Sequence, residues 1–408
     1  MMELFDAVDP ARRAILLSAR EVGISLRTAV WLVGGPVRDL RLGEPVRDLD
    51  FVVDASHVQQ FAAAFASALG GRIRRFPRFM TFTIEAAGLP LIDVATARRE
   101  SYRAPGALPE VTAGGIAEDL TRRDFSINAI AIELIEGQLV DPLGGMADLE
   151  QRRIRILHPR SFLDDPTRLL RALRFAVRLG FGLEETTGRA MEHAISAGAL
   201  RSISRTRLWR EVMLAFAEPH PGAVLCRMGG SGALDLLFPG VQYSSAFDLA
   251  MRSLEIWLPE GRIDTPVAML GRLAAASSAA PDLSGSSFTL RRIAQIESFR
   301  ESASSIRDRF EKVETPDQAL EAIGAAGTLT LAAAAIAGDD RFVPMLRRYI
   351  VADRIARAIP GSGIHPERGR HIGHAIDETR AGIFRGELAP AEAASFASAI
   401  ALQYLRSH

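Results

Sequence analysis

The stretch LVGGPVRDLRLGEPVRDLDFVV, residues 32–53, joins two apolar strand patterns through a glycine pair and a short helix pattern. Pro36 suits the first position of that helix, because its missing N–H would have no helical partner there. Asp48 and Asp50 lie two residues apart, so the alternation of a strand puts both carboxylates on one face. The stretch therefore predicts a strand, turn, helix and strand that carry an acidic pair.

The overall composition indicates a multidomain cytoplasmic protein. The 408 residues exceed what one hydrophobic core usually supports, and 48% of them are hydrophobic while 24% are charged. No apolar run approaches the ~18 to 20 residues of a membrane span, so we expect no membrane partner. The acidic N-terminus does not resemble a secretory signal. Cys226 is the only cysteine, so we expect no disulfide partner.

The pattern of apolar residues changes near residue 141. Before it, from about residue 29, short alternating runs predict a small α+β unit with strands in AVWLV, DLDFVV, TFTIEA and LPLIDVA. After it, RLLRALRFAVRLGF and RLWREVMLAFA have the spacing of amphipathic helices. We therefore predict an all-helical remainder, with a loop in the Ser- and Gly-rich residues 274–287.

The acidic pair and the glycine pair each allow a functional and a purely structural interpretation. Carboxylates such as Asp48 and Asp50 are ligands that Mg²⁺ accepts beside water and substrate phosphates, although such a pair is also common at a solvated strand edge. Gly34 and Gly35 let backbone amides and a helix N-terminus approach an anion, with Arg38 one turn further on. Glycine also serves tight turns for steric reasons alone.

Positive charge is concentrated in one part of the chain, although the formal net charge is zero. Residues 151–210 contain 13 Arg against 5 Asp and Glu, a difference of 13 − 5 = +8. Such an excess suits a surface that binds nucleic-acid phosphates. An ordinary solvated helical surface is the alternative explanation.

At these motifs the chain resembles class II tRNA nucleotidyltransferases and their bacterial poly(A) polymerase relatives, in the polymerase-β superfamily. The resemblance covers about residues 30–181 and is carried by residues 32–53 together with IDVATARRE, EDLTRRDFSINAIAI, DPLGGMADLEQRRIRIL and FLDDPTRLLRALRFAVRLGF. ISRTRLWREVMLAF and GALDLLFPG resemble later parts of the family less specifically. The resemblance implies an α+β nucleotidyltransferase head at 1–155, followed by an all-α neck at 156–225, body at 226–330 and tRNA-binding tail at 331–408.

The resemblance also implies roles for particular residues. Asp48 and Asp50 would bind the metal, with Mg²⁺ as the expected cofactor, and Asp93 would be a third catalytic carboxylate unless it forms a structural salt bridge with Arg98 or a neighbouring arginine. The implied nucleotide-binding residues in the head are Gly35, Arg38 and Arg123. Asp124 and Asn128 would brace the site instead of contacting the substrate.

A second set of residues is implied to select the nucleotide. Asp165, Arg168, Arg171 and Arg174 recur every three residues, so on a helix they would share one face. Cytosine and adenine both present an amine donor beside a ring nitrogen acceptor, which an aspartate and an arginine can match. The resemblance gives this template role to Asp165 and Arg168, and nucleotide or phosphate binding to Arg171 and Arg174. An ordinary surface ion pair is the alternative.

These expectations favour an enzyme that adds CMP and AMP, from CTP and ATP, to the 3′ end of tRNA. Partial enzymes that add only CC or only A, and a poly(A) polymerase, share the same motifs. Residues 100–117 are expected to form a full-length flexible loop that helps the switch from C to A addition. A non-catalytic tRNA-binding protein is the alternative from another class. The HIGH sequence at residues 371–374 is expected to be accidental, because no lysine follows it.

Overall fold

The computed structural model describes residues 8–77, 80–101, 103–104, 106–107, 109–241, 243, 270–271, 273–274, 277–310, 312–323, 343–367 and 369–407. The chain forms two compact units, Met1–Leu208 and Trp209–His408. The finer division into head, neck, body and tail stays a prediction, and its boundary at residue 330 lies outside the described residues.

The first unit combines one large sheet with short helices. Its strands are β1 (Val30–Val33), β2 (Leu49–Val53), β3 (Arg72–Phe76), β4 (Thr81–Glu85), β5 (Ile92–Thr96), β6 (Arg98–Ser101), β7 (Glu110–Ala113), β8 (Ala131–Glu133), β9 (Leu139–Val140), β10 (Arg153–Ile154) and β11 (Gly182–Leu183). Its helices are α1 (Pro10–Leu26), α2 (Gly35–Leu42), α3 (Val58–Ala68), α4 (Ile116–Thr121), α5 (Gly145–Glu150), α6 (Ser161–Asp164), α7 (Thr167–Leu179) and α8 (Glu185–Ser196), with 3-10 turns at Ser126–Asn128 and Ala199–Ser202.

Seven strands form a mixed sheet in the order β3-β4-β5-β2-β1-β8-β9. Strands β2 and β5 run parallel, and the other neighbours in this sheet are antiparallel. The four strands predicted from alternating apolar residues correspond to β1, β2, β4 and β5, and the predicted α+β class is confirmed. Strand β3 escaped prediction because its sequence, RIRRF, is mostly charged and exposed.

Aromatic side chains fix helix α3 against the sheet. The ring of Phe51 in β2 meets that of Phe65 edge to face at 5.5 Å, and Phe65 also contacts Phe61 at 5.4 Å. All three side chains are fully buried. Such pairs add about 0.5 to 1.5 kcal/mol each beyond simple burial. One face of the sheet is thereby covered, and Asp50, the acidic residue of β2, projects from the other face.

Described parts of the predicted flexible loop at residues 100–117 form regular structure. Its beginning lies in β6, its middle contains β7, and the two strands pair antiparallel as a separate hairpin with Glu100 opposite Val111. Helix α4 begins at Ile116. Tyr102, Pro105 and Leu108 lie outside the described residues. Strands β6 and β7 were not predicted, because the alternation in RRES and EVTA is too short to stand out. The flexibility of this loop and its part in the switch from C to A addition stay predictions.

The prediction of helices alone after residue 141 needs one correction. Strands β10 and β11 pair in parallel, with Arg153 opposite Gly182 and Ile154 opposite Leu183. Two residues per strand are too few to give a periodic signal. The predicted loop at 274–287 is confirmed over residues 277–287, which contain neither helix nor strand, whereas its first residue, Ala274, is helical.

In the second unit every described element is helical. Helix α9 (Arg205–Phe216) begins in the first unit, and α10 (Pro221–Gly230), α11 (Leu290–Phe310), α12 (Pro316–Ile323), α13 (Val343–Ala358), α14 (Gly361–Ile364), α15 (Arg370–Arg385) and α16 (Ala393–Ser407) follow, with a 3-10 turn at Pro390–Glu392. Tyr349 and Phe384 pack edge to face at 5.8 Å in its core. The HIGH sequence lies within α15, as part of a helix. None of the described helices is long and apolar enough to cross a membrane.

Close packing at Gly145 leads to a stability prediction. A Cβ at Gly145 would lie 2.1 Å from the Ser126 carbonyl oxygen and 2.8 Å from Ile130 Cγ1. We therefore expect Gly145→Ala to lower the free energy of unfolding by about 1 to 3 kcal/mol, as forced overpacking does. The measurement is urea denaturation. As the matched control, Gly188→Ala fills open space in α8 and should stabilise by about 0.5 to 1 kcal/mol; equal effects of both changes would contradict the packing argument.

Candidate active site

The acidic residues lie on neighbouring parallel strands. Asp50 in β2 is directly opposite Asp93 in β5, and Asp48 immediately precedes β2. Asp50 is half-buried, whereas Asp48 and Asp93 are exposed. Thr83 donates a hydrogen bond of 2.6 Å to Asp93 Oδ1, while Arg98 pairs with Glu100 at 3.0 Å. The sheet thus brings the three predicted carboxylates to one place.

The electrostatic environment of Asp50 suits a cation. Burial raises its pKa, Arg123 opposes that rise, and the negative charges of Asp93 and Asp48 add to it, so the pKa reaches about 6. The ionised form of such a carboxyl group is unfavourable beside other carboxylates, and a bound cation stabilises it. The ionised cluster therefore has the charge and the oxygen donors that a divalent ion requires.

The residues fit a divalent ion that takes only part of its coordination from the protein. Within the described residues, no three His, Cys, Asp or Glu side chains already form a group able to hold a metal. Mg²⁺ commonly uses one or two carboxylates and completes its octahedral shell with water and substrate phosphates. Asp48 and Asp50, with Asp93 beside them, can provide that part.

The glycine turn lies next to Arg123. Gly34 has a φ of +74°, and a Cβ there would lie 2.6 Å from Arg123 Nη1. Only glycine combines this backbone conformation with the close approach of a guanidinium. Helix α2 begins directly afterwards at Gly35. The Gly34 amide donates to the Ile130 carbonyl oxygen, so the amide of Gly35 at the start of α2 and the Arg123 guanidinium are the donors that an anion would meet here.

Arg38 occupies a different position from the one that the sequence suggested. Its side chain is buried, its Nε donates to Asp39 at 2.8 Å, and its Nη1 donates to Asn128 at 2.6 Å. The guanidinium also lies 5.1 Å from the ring centre of Phe175. Arg38 thus supports the turn from beneath, with Nη2 3.7 Å from a Cβ position at Gly35.

Asp124 and Asn128 connect Arg38 to helix α7. Asn128 donates to Asp124 at 3.0 Å, and Arg171 donates to the other Asp124 oxygen at 2.9 and 2.6 Å. Burial alone would raise the pKa of Asp124, but Arg171 and the hydrogen bonds of Asn128 and Arg171 outweigh it and lower the pKa to about 2. The bracing arrangement expected for Asp124 and Asn128 is present, although Asn128 ends a 3-10 turn that Asp124 precedes.

Helix α7 carries the predicted arginines but not Asp165. The helix begins at Thr167, and Asp165 stands before it in an extended conformation. Pro166 explains the difference, because a residue before proline is disfavoured in the helical region. Asp165 accepts hydrogen bonds from Thr167 at 2.6 Å and from Arg207 at 2.7 Å. The expectation that all four polar residues share one helical face was wrong for Asp165.

Arg168 and Arg174 are buried. Arg168 donates to Ser161 at 2.7 Å and to the carbonyl oxygen of Arg122 at 2.8 Å, and Arg174 lies 5.1 Å from the ring centre of Phe175. Arg168 lines a cleft of about 460 Å³, a size that suits a small ligand. The cleft is further lined by Arg99, Glu100, Ser101, Glu118, Thr121, Arg122, His158, Arg160 and Asp164.

Sequence reasoning missed Asp119, which holds two neighbouring arginines. Its buried carboxylate accepts from Arg122 at 2.9 and 2.7 Å and from Arg123 at 2.9 Å. Burial would raise the pKa of Asp119, but Arg123 and Arg122 outweigh it and lower the pKa. The spacing of three and four residues in EDLTRR was the available signal. Arg207, which contacts Asp165, gave no comparable signal.

The fold and site define a nucleotidyltransferase-type head followed by helices, and comparison with known families agrees with that class. Residues 30–155 match the model described as the poly A polymerase head domain. Residues 180–244 match the model described as the probable RNA and SrmB-binding site of polymerase A.

Similar proteins extend the likeness beyond these segments. A CC-adding tRNA nucleotidyltransferase of Deinococcus radiodurans is 33% identical over 366 residues, which cover 88% of this chain and 86% of that protein. An A-adding tRNA nucleotidyltransferase of Aquifex aeolicus is 46% identical over 46% of this chain, but the chain spans only 23% of that relative's length. The solved CCA-adding enzyme in apo form II superposes with a TM-score of 0.70 at 28% identity, covering 100% of this chain and 98% of that one. The chain therefore belongs to the tRNA nucleotidyltransferase family, whose members generally use a divalent metal ion.

The pKa of Asp124 predicts how the braced site responds to acid. Because its folded-state pKa lies below the ordinary value of 3.8, the stabilisation is complete above about pH 4 and is lost as the pH falls towards 2. We expect wild type to exceed Asp124→Asn in free energy of unfolding by about 2 kcal/mol near neutral pH, with a smaller difference at pH 3. Urea denaturation at several pH values measures both. The same comparison in an Arg171→Leu background is the control, and a difference that ignores pH would contradict the argument.

Proposed function

We propose that this chain is a tRNA nucleotidyltransferase that adds CMP and AMP to the 3′ end of tRNA, using CTP and ATP and no nucleic-acid template. The observation that carries the proposal is the likeness over the whole chain to CCA-adding enzymes. The apo form II structure covers 98–100% of both chains. A Thermotoga maritima CCA-adding enzyme solved with tRNA matches with a TM-score of 0.66 at 26% identity.

The proposed division of labour follows the predicted domains. Residues 1–155 form the catalytic head, 156–225 the neck, 226–330 the body and 331–408 the tail, with the helical parts contacting the acceptor and elbow of tRNA. The excess of arginine in residues 151–210 supports RNA binding next to the head. We also place the protein in the cytoplasm, with its substrates.

In the proposed reaction Asp48 and Asp50 hold Mg²⁺, with Asp93 as the third carboxylate. A divalent ion bound there neutralises charge that develops on the transferred phosphoryl group. Arg123 and the amide of Gly35 bind the triphosphate, since the Gly34 amide already donates to the Ile130 carbonyl oxygen at 2.9 Å. Their positions are fixed before substrate arrives, because Asp119 holds Arg123 and the buried Arg38 supports the turn. Such preorganised donors are the main contribution of a protein to phosphoryl transfer.

Nucleotide selection is assigned to Asp165 and Arg168, with Arg171 and Arg174 supporting nucleotide binding. Arg168 grips the backbone of Arg122, the neighbour of Arg123, at 2.8 Å. Arg168 therefore has a fixed position relative to Arg123, so a base that contacts Arg168 is held at a fixed distance from the phosphate site. Uracil and guanine would set a carbonyl against a carboxylate, which leaves buried acceptors unpaired at about 1 to 3 kcal/mol each.

A-only and CC-only addition are the second candidates, because of the relatives. A-adding enzymes of Aquifex aeolicus, Geobacter sulfurreducens and Halalkalibacterium halodurans are 38–46% identical over about half of this chain. The Deinococcus radiodurans enzyme that matches most of the chain is described as CC-adding, and multifunctional CCA proteins match at 37–38%.

Product analysis tests the proposed function directly. We expect tRNA lacking its terminal CCA to gain CC with CTP alone and CCA with both nucleotides. Asp48→Ala should lower transfer by roughly a thousandfold or more while tRNA binding persists, because the helical parts bind the RNA. Gel analysis of labelled products and a filter-binding assay are the measurements. Glu44→Ala, an exposed acidic residue upstream, is the matched control. Addition of only CC, only A or a long A tract would replace the proposal by the corresponding activity, and RNA binding without any extension would favour a binding protein.

Selectivity tests the template assignment. Arg168→Ala should reduce the preference for CTP and ATP over UTP and GTP by roughly 10- to 100-fold, because a donor that matches only the correct bases is lost. The ratio of kcat/KM values for the four nucleotides is the measurement. Arg168→Lys keeps the positive charge, so it distinguishes a loss of base selection from a loss of attraction to the phosphates. The control is Arg189→Ala, which removes an exposed arginine. Unchanged ratios in Arg168→Ala would remove this residue from the template.

A further inference from the structure

Strand β3 forms the outer edge of the seven-stranded sheet and exposes arginines together with an aromatic ring. Arg72, Arg74 and Arg75 are exposed, and Phe76 keeps 39% of its surface accessible. Charged side chains on an exposed edge strand oppose its pairing with a strand of another molecule. Protection of the edge needs the charges but not the phenylalanine, whose ring lies beside the Arg74 guanidinium.

The sheet register relates this edge to the acidic site. Arg74 lies opposite Thr83, Thr83 opposite Asp93, and Asp93 opposite Asp50. Residues that pair across strands project from the same face, so Arg74 shares the face of the acids. Residues two apart also share a face, which places Arg72 and Phe76 there. Three strand spacings of ~4.8 Å put the Arg74 backbone about 14 Å from that of Asp50.

Arg75 belongs to the opposite face of the same strand. It lies opposite Phe82, and its guanidinium is 5.9 Å from the ring centre of that residue. The edge therefore presents an arginine and a phenylalanine ring on the acidic face, with a comparable arginine on the covered face. This alternation supplies a matched comparison within one strand.

The side chains on the acidic face have the chemistry of a single-strand binding surface. The Arg74 guanidinium lies 5.3 Å from the ring centre of Phe76, and its Nη2 is 3.5 Å from Glu85 Oε1 in a surface pair. Exposed pairs of this kind are weak and yield readily to a competing phosphate. Proteins that bind single strands combine cations for the backbone with aromatic rings for the bases.

The opposite side of the acids is already assigned. The glycine turn and Arg123 lie at β1 and α2, on one side of β2, whereas β5, β4 and β3 lie on the other. An in-line displacement needs the attacking oxygen and the leaving group on opposite sides of the transferred phosphorus. An RNA strand whose 3′ hydroxyl attacks would therefore approach over β5, β4 and β3.

We propose that Arg72, Arg74 and Phe76 bind the single-stranded 3′ end of the RNA substrate just upstream of the nucleotide that is extended. Arginines contact its phosphates and Phe76 stacks on a base. The inference rests on the proposed function and adds to it the surface that guides the RNA end to the acidic site.

The test compares two RNA hairpins that differ only in a single-stranded 3′ overhang, in a fluorescence anisotropy assay without nucleotide. Wild type should bind the overhang hairpin more tightly than the blunt one. Arg74→Ala and Phe76→Leu should each weaken the overhang complex by roughly tenfold and leave the blunt complex unchanged. Arg74→Ala should also reduce the slope of log affinity against log salt by about one.

Matched variants distinguish this site from general charge effects. Arg75→Ala removes the same charge from the covered face and should leave the overhang preference intact. Glu85→Gln removes the carboxylate that competes for Arg74 and should tighten overhang binding. Thermal melting should show all variants folded, because the substituted side chains are exposed.

The outcomes separate this inference from the proposed function. Equal losses in Arg74→Ala and Arg75→Ala, or an overhang preference that survives in Arg74→Ala and Phe76→Leu, would overturn the inference and leave the edge for a protein partner. If overhang binding depends on Arg74 but the protein adds no nucleotide, the RNA-binding surface is supported and the proposed enzymatic function is refuted. In an active protein, the variants should raise KM for tRNA about tenfold with kcat unchanged.

Discussion

A buried chain of charged side chains holds the first unit in its working arrangement. Asp39 binds Arg38, Arg38 binds Asn128, Asn128 binds Asp124, and Asp124 binds Arg171. Helix α2, the 3-10 turn and helix α7 are joined in this way. Loss of the Asp124 carboxylate leaves Arg171 without its ion-pair partner, at a cost of about 2 kcal/mol. The arrangement is therefore cooperative, and the glycine turn and the arginines of α7 keep fixed relative positions.

Two aspartates show how position decides chemistry. Asp124 is buried and Asp50 half-buried, yet the pKa of Asp124 falls to about 2 and that of Asp50 rises to about 6. Arg171 and hydrogen bonds satisfy Asp124 within the protein, whereas Asp50 faces other carboxylates and has only Arg123 to oppose them. The first carboxylate completes a structure. The protein does not fully stabilise the ionised form of Asp50, so a bound cation would stabilise it further, as expected for a metal ligand.

The sequence predicted the parts whose signal is local. Strands β1, β2, β4 and β5 follow from alternation, and the acidic pair with its glycine turn follows from spacing alone. Three further features were not predicted: two depend on tertiary context, and the position of Asp165 follows from the neighbouring proline. Arg38 has the sequence position of a phosphate ligand, but Asp39 and Asn128 draw it inward. Asp165 leaves the helix because of Pro166, and β3 is a strand because β4 pairs with it, although its own residues are mostly charged.

Relatives described as adding A, CC or CCA share the head motifs, so the acidic pair cannot decide which nucleotide is added. A metal site treats every triphosphate alike, because it contacts phosphate and not base. The decision has to arise where a base or an RNA end meets protein. In the proposed mechanism helix α7 carries the residues that select the base, and Arg168 connects that helix to the neighbour of Arg123 through the Arg122 carbonyl oxygen. A small shift of this helix would change which base fits while the acids stay in place, so one catalytic sheet can serve several products.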